Sequence, residues 1–203
     1  MIFCIDIDNT ITNMNRIWLQ YINREYKTNY KYSDITSWEF FDELVAQGLD
    51  VYRILEWEGF WRSTTIYPTA VKVIETLVKA GHKVFLVTAS DLSNPSLQVK
   101  LTHVMNHFNN SLINIDNIVI TQDKSIIDGD VLIDDKLETC QEWLRMGKVV
   151  CMPEQPWNTK FDPNSNCNQL SIFDDEDGDN MNTRWIGVLE YICKRFGLNL
   201  KIK

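Results

Sequence analysis

Two aspartates spaced by one residue, Asp6 and Asp8, close an apolar run that begins the chain. On a strand, residues two apart project to the same side, so both carboxylates would stand at the mouth of a buried strand. Like charges that close cost free energy unless a cation lies between them. The pair reads either as a cation site or as a strand running into a polar Asp-Asn-Thr turn. Later segments add partners of matching chemistry. Thr88, followed by Ala89 and Ser90, closes a second apolar run; Lys124 follows a third; Asp134 and Asp135 close a fourth. Carboxylates converging in this number suit a hard, magnesium-type cation with oxygen ligands. A lysine and a hydroxyl beside them supply what a phosphate group needs.

The elements that must position these groups follow from periodicity. Residues 2–6 read as a buried strand, after which apolar residues recur at helical spacing from Ile11 to Tyr26. Pro68 opens a helix over 69–80 that ends at Gly81. The remaining expected strands are 83–87, 117–121, 131–133 and 148–152, alternating with helices over 98–108, 137–146 and 185–196. Residues 153–169 read as loop and 174–179 as an acidic turn. Strands that are apolar throughout and separated by helices indicate an α/β, Rossmann-like parallel sheet of about five strands flanked by helices. In such a sheet, ligands bind beyond the carboxyl ends of the strands, where the polar residues are gathered.

Residues 15–67 differ in character. Trp38, Phe40, Phe41, Trp57, Phe60 and Trp61 crowd among short amphipathic pieces at 41–47 and 51–56, without strand alternation. This predicts a small helical cap, residues 15–67, inserted after the first strand into a core domain of residues 1–14 and 68–203.

Composition bounds the partners. The 203 residues are 44% hydrophobic and 24% charged, as in a folded domain, with a formal charge of -8. That balance disfavours a nucleic-acid polymer. No apolar window approaches the roughly 18 residues of a membrane span. Five widely spaced cysteines form no Cys-x-x-Cys pair and read as core thiols of a cytoplasmic protein. Walker and dinucleotide glycine motifs are both absent. His82, His103 and His107 fall on no motif and read as surface or helix-face residues.

Asp6-Ile7-Asp8-Asn9-Thr10, Thr88, Lys124 and Asp134-Asp135 resemble, in order and spacing, the four motifs of the haloacid dehalogenase superfamily of phosphotransferases. Within it, residues 120–124 followed by 131–136 are similar to the 5'(3')-deoxyribonucleotidase family, as are 57–61 and Pro156-Trp157-Asn158. The resemblance covers most of the chain and is weakest over 26–50 and 165–182.

It implies an aspartyl-phosphate mechanism with Asp6 as nucleophile and Asp8 as acid and base. Thr88, Lys124 and the Ala89-Ser90 backbone and hydroxyl would bind phosphate. Mg2+ would be held by Asp6, the Asp8 carbonyl, Asp134 and Asp135. Met14, Trp38, Phe40, Phe41, Trp57 and Trp61 are the candidates for the substrate pocket. The implied substrate is a small nucleotide, a pyrimidine deoxyribonucleoside monophosphate such as dUMP or dTMP. A sugar phosphate, a polynucleotide 3'-phosphate and a non-catalytic nucleotide-binding role stand as alternatives, and a homodimer is left open. Two positions depart from the family pattern: Asn9 stands where glycine is expected, and Thr88-Ala89-Ser90 where Thr-Ser-Pro is expected.

Overall fold

Residues 1–159, 168–170 and 181–202 are described in a computed structural model. The expected acidic turn at 174–179 and Cys167 lie outside them. Six parallel strands form one sheet: β1 (Ile2–Asp6), β2 (Lys83–Thr88), β3 (Ile118–Ile120), β4 (Val131–Ile133), β5 (Val149–Pro153) and β6 (Asn168–Leu170). Their spatial order is β3-β2-β1-β4-β5-β6. The sixth strand corrects the expectation of loop through 169. A three-residue strand gives too short an apolar run to stand out by periodicity, and it is recruited by pairing of Cys151 with Asn168.

Strand periodicity sorts the core into two faces. Phe3, Ile5, Val84, Leu86, Val131 and Ile133 point into a cluster with the helices α4 (Pro68–Lys79), α5 (Leu97–Met105) and α7 (Met181–Phe196). Cys4, Val87, Leu132, Val150 and Met152 point to the opposite face, where Cys140 and Trp143 of α6 (Leu137–Arg145) cover them. Covering both faces is what makes these strands apolar throughout.

The chain leaves β1 to build β2 and β3 on one side, then returns to build β4, β5 and β6 on the other. The carboxyl ends of β1 and β4 therefore flank the topological switch point, where a crevice opens.

The helix expected from Ile11 begins later. α1 spans Met14–Tyr26, because the amides of Ile11 and Thr12 turn back to the Ile7 carbonyl and Thr12 bridges Ile66. The amide of Tyr67 donates to the Ile11 carbonyl, so residues 11–13 and 65–67 form a two-stranded neck. Between its strands lie α1, α2 (Phe40–Ala46) and α3 (Glu58–Ser63), joined by 3-10 turns at Tyr32–Asp34 and Tyr52–Glu56. They share their own apolar cluster, centred on Trp18, Ile22, Phe41, Leu44, Ile54 and Phe60. Trp18 and Phe41 stack with centroids 3.7 Å apart and planes 13° apart.

Gly129, just ahead of β4, is required by space. A Cβ there would lie 2.7 Å from the Cys4 Sγ and 2.7 Å from the Trp143 ring. Gly129→Ala is expected to lower stability by about 1–3 kcal/mol through overpacking, read as a lower denaturant midpoint at unchanged slope.

Candidate active site

Sheet register brings the acids together. Ile5 pairs with Ile133, so the next residues on these neighbouring strands, Asp6 and Asp134, emerge side by side. Carboxylate oxygens of Asp6, Asp134 and Asp135 lie within 4.8 Å of one another, and all three residues are buried. Lys124, in a 3-10 turn after β3, reaches between two of them: its Nζ donates to Asp6 Oδ1 at 2.5 Å and to Asp134 Oδ2 at 2.7 Å. The other Asp134 oxygen accepts the Lys136 amide at 2.8 Å. Asp135 accepts from Trp157 Nε1 at 3.1 Å and from Thr10 Oγ1 at 3.4 Å.

Electrostatics reflect the crowding. Burial, and then the nearby charges of Asp134 and Asp8, raise Asp6 from the ordinary carboxylate range to about 7 despite the opposing pull of Lys124. Burial also raises Asp135 well above its usual value, reinforced by Asp6 and Asp134. Burial works against the charge on Lys124, but Asp134 and Asp6 outweigh it and hold the ammonium protonated.

Asp8 takes a different course from Asp6. Because β1 stops at Asp6, the alternation expected to carry both side chains to one side ends there, and Asp8 lies in the following turn. It meets Thr88 Oγ1 at 3.3 Å and, more closely, the buried Lys100 of α5. The turn depends on Asn9, whose φ of 59° lies in the left-handed region that asparagine and glycine tolerate. Its side chain accepts the Asn15 amide at 2.7 Å and starts α1. The departure from glycine at this position is therefore conformationally silent.

Above the acids is a cavity of about 300 Å³, at the small end of the ~300–1,000 Å³ usual for small-molecule sites. Asp6, Asp8, Lys124, Asp134 and Asp135 line one end, and Ala89 and Gln122 its side. Of the aromatic and apolar candidates, Met14, Trp38 and Phe41 line it; Phe40, Trp57 and Trp61 do not. Phe40 packs edge-on against Tyr30 and Phe41; Trp57 lies against Tyr21; the Trp61 indole donates to the Leu55 carbonyl at 2.8 Å. These three rings are used within the inserted segment, the commoner fate of aromatic side chains. Trp18, Tyr52 and Trp157 line the cavity instead. Trp38 is 43% exposed at the rim, with Lys136 Nζ 4.8 Å above its ring.

The site can be compared with known proteins. The sequence model of a family described as "5' nucleotidase, deoxy (Pyrimidine), cytosolic type C protein" matches residues 1–169. The chain belongs to this family. It is thereby a hydrolase of the phosphatase class, and it is 27% identical over 160 residues to a 5'(3')-deoxyribonucleotidase of Bacillus subtilis, covering 79% of this chain and 90% of that one. A second 5'(3')-deoxyribonucleotidase, from Clostridium acetobutylicum, is 27% identical over 132 residues, 64% of this chain and 71% of its own length. Haloacid dehalogenase-like hydrolases share the fold. One from Burkholderia xenovorans matches at a TM-score of 0.53 and 16% identity over 82% of this chain and 92% of its own. Another, from Xanthomonas campestris, matches at 0.53 and 13% identity over 96% and 98%.

Within this family frame, Lys100 is the residue that sequence reasoning missed. Its signal was a cation on the apolar stripe of α5, in step with Leu101, Val104 and Phe108. With it, four carboxylates (Asp6, Asp8, Asp134, Asp135) face two ammonium groups (Lys100, Lys124). The repulsion that helps raise Asp6 and Asp135 is what a divalent cation between them would relieve, and the donors are all oxygens. The residues thus fit a hard metal ion such as Mg2+.

A raised native pKa at Asp6 means that the native state binds a proton more readily than the unfolded state between about pH 4 and 7. In metal-free protein, stability should therefore fall as pH rises through that window. Thermal melts from pH 5 to 8 in chelator should show the decline, and Asp6→Asn should make it shallower, with the remaining slope carried by Asp135. Millimolar MgCl2 should flatten it in the unsubstituted protein.

Proposed function

We propose that the protein is a magnesium-dependent phosphatase that hydrolyses deoxyribonucleoside monophosphates, with pyrimidine bases preferred, through a phosphorylated Asp6. The observation that carries this reading is the placement of Asp6 beside Asp134 and Lys124 in a cavity that aromatic rings also line. Family membership and the names of the relatives support the substrate class.

In this reading an Asp6 oxygen attacks phosphorus, and the bond from phosphorus to the ester oxygen breaks with its electron pair passing to that oxygen. Asp8 gives the ester oxygen a proton. The resulting Asp8 carboxylate then takes a proton from water, whose oxygen attacks phosphorus and displaces the Asp6 carboxylate, releasing inorganic phosphate. Asp6, Asp134, Asp135 and the Asp8 carbonyl would hold Mg2+, which when bound neutralises charge on the phosphoryl oxygens. Lys124 and Thr88 would contact the same group, with Ala89 and Ser90 at its edge, and charge stabilisation there is most of what phosphoryl transfer needs.

Residues 15–67 would serve as the cap over the core domain formed by 1–14 and 68–203. Trp38 and Phe41 would offer ring faces to the base, an interaction worth roughly 1–3 kcal/mol per base. The cap would also exclude bulk water during attack. Among the described residues no helix is long and apolar enough to cross a membrane, which accords with a soluble small-molecule substrate.

Phosphate release should be measured over a panel of nucleoside monophosphates and sugar phosphates, with and without Mg2+. The expected outcome is preference for dUMP and dTMP, loss of activity in chelator, and at least a ~10³-fold loss of kcat in Asp6→Asn with an unchanged melt in Mg2+. Preference for a sugar phosphate would overturn the substrate assignment, and activity surviving in Asp6→Asn would remove the nucleophile.

A further inference from the structure

Lys100 is a buried cation with no part in the steps above. Only 3% of it is exposed, and its ammonium group lies 4.8 Å above the Trp61 ring. An ammonium has three protons, and three oxygens receive them: Asp8 Oδ2, Thr88 Oγ1 at 2.9 Å and Ser90 Oγ at 2.7 Å. Thr88 and Ser90 are themselves 3.0 Å apart, and Thr88 is 3.3 Å from the same Asp8 oxygen. One Asp8 oxygen is thus held by two donors on a fixed frame. The other, Oδ1, is buried and has no hydrogen-bond partner among the described residues, although Asp8 lines the cavity. A buried carboxylate oxygen left unpaired is costly, and its persistence in a native structure calls for a functional explanation.

We propose that Lys100 is a positioning residue for proton transfer: by fixing Asp8 Oδ2 it leaves Oδ1 as the oxygen that exchanges protons with the substrate ester oxygen and with water. This rests on the reading of Asp6 as nucleophile and Asp8 as acid and base. The contacts to Thr88 and Ser90 serve the same end, since they prevent the lysine from swinging toward the phosphate.

The test uses Lys100→Met, which keeps the length of the stem and removes the charge and all three donors, with Asp8→Asn as the reference. Two substrates separate the role. The nucleoside leaves dUMP as an alkoxide that needs a proton, whereas p-nitrophenolate leaves p-nitrophenyl phosphate as a stable anion that does not. With dUMP, kcat should fall about 10²–10³-fold while KM stays within about threefold. With p-nitrophenyl phosphate, a rapid burst of about one equivalent of p-nitrophenolate should survive in both variants, because attack by Asp6 needs no proton from Asp8, and slow turnover should follow. A merely structural lysine would reduce the burst and the turnover of both substrates together, and that outcome overturns the proposal. So does an unchanged kcat on dUMP in a Lys100→Met protein when Asp8→Asn is inactive. If melts show that Lys100→Met does not fold, Lys100→Gln carries the same comparison. Unsubstituted protein inert toward both substrates would instead reject the phosphatase reading, and this role with it.

Discussion

Three buried carboxylates and a fourth, that of Asp8, which is partly exposed, gathered beside two buried lysines at the switch point of a parallel sheet are the constraint around which the molecule is arranged. Removing one partner from a buried ion pair typically costs about 3–5 kcal/mol, because the remaining charge is left without water or counter-charge. The two lysines come from opposite directions. Lys124 is carried in by the turn between β3 and β4, and Lys100 by α5, which follows β2. Each is committed to a different aspartate of the Asp6–Asp8 pair. Two acids of one type, separated by a single residue, thereby acquire different electrostatic surroundings.

The rest of the fold keeps that arrangement fixed. Asn158 donates to the carbonyls of Asp135 and Pro153, and Gln155 donates to the Asn9 carbonyl while accepting from Tyr32 of the inserted segment. The segment after β5 thus binds the turn that follows β1, the second acidic pair and the aromatic inserted segment together. On the other side, Asn94 and Ser96 donate to the carbonyls of Leu55 and Glu56, and the His103 ring meets the Thr64 carbonyl at 2.9 Å. His103 had looked like an ordinary helix-face residue, and its partly buried ring is one of the links between α5 and the inserted segment.

The parallel sheet and the acids at its strand ends were legible because apolar runs and strand-end polar residues are local patterns. Asp6, Lys124, Asp134 and Asp135 converge as read. Lys100 escaped because its position on an apolar stripe argues for a surface misfit until the facing strand end is known. Which one or two of the five candidate rings would face the cavity was not legible, because composition counts rings without orienting them; Trp38 and Phe41 line it, whereas Trp61 turns its indole to Leu55. The start of α1 was obscured by Ile11, whose apolar side chain belongs to the core although its backbone is in the neck. β6 was missed because pairing with β5, a long-range event, outweighs any preference within three residues.

One contact joins distant parts of the sequence at the reacting centre. The indole of Trp185, in α7, donates to the Thr10 carbonyl at 3.1 Å, and the Thr10 hydroxyl in turn contacts Asp135. The turn after β1 thus has a backbone carbonyl that waits, during synthesis, for a side chain added 175 residues later. At usual elongation rates that interval is on the order of 10–35 s. Until α7 is made, the Thr10 carbonyl lacks the indole donor it has in the folded protein, so the final support of the turn that also holds Asp135 arrives long after the turn itself.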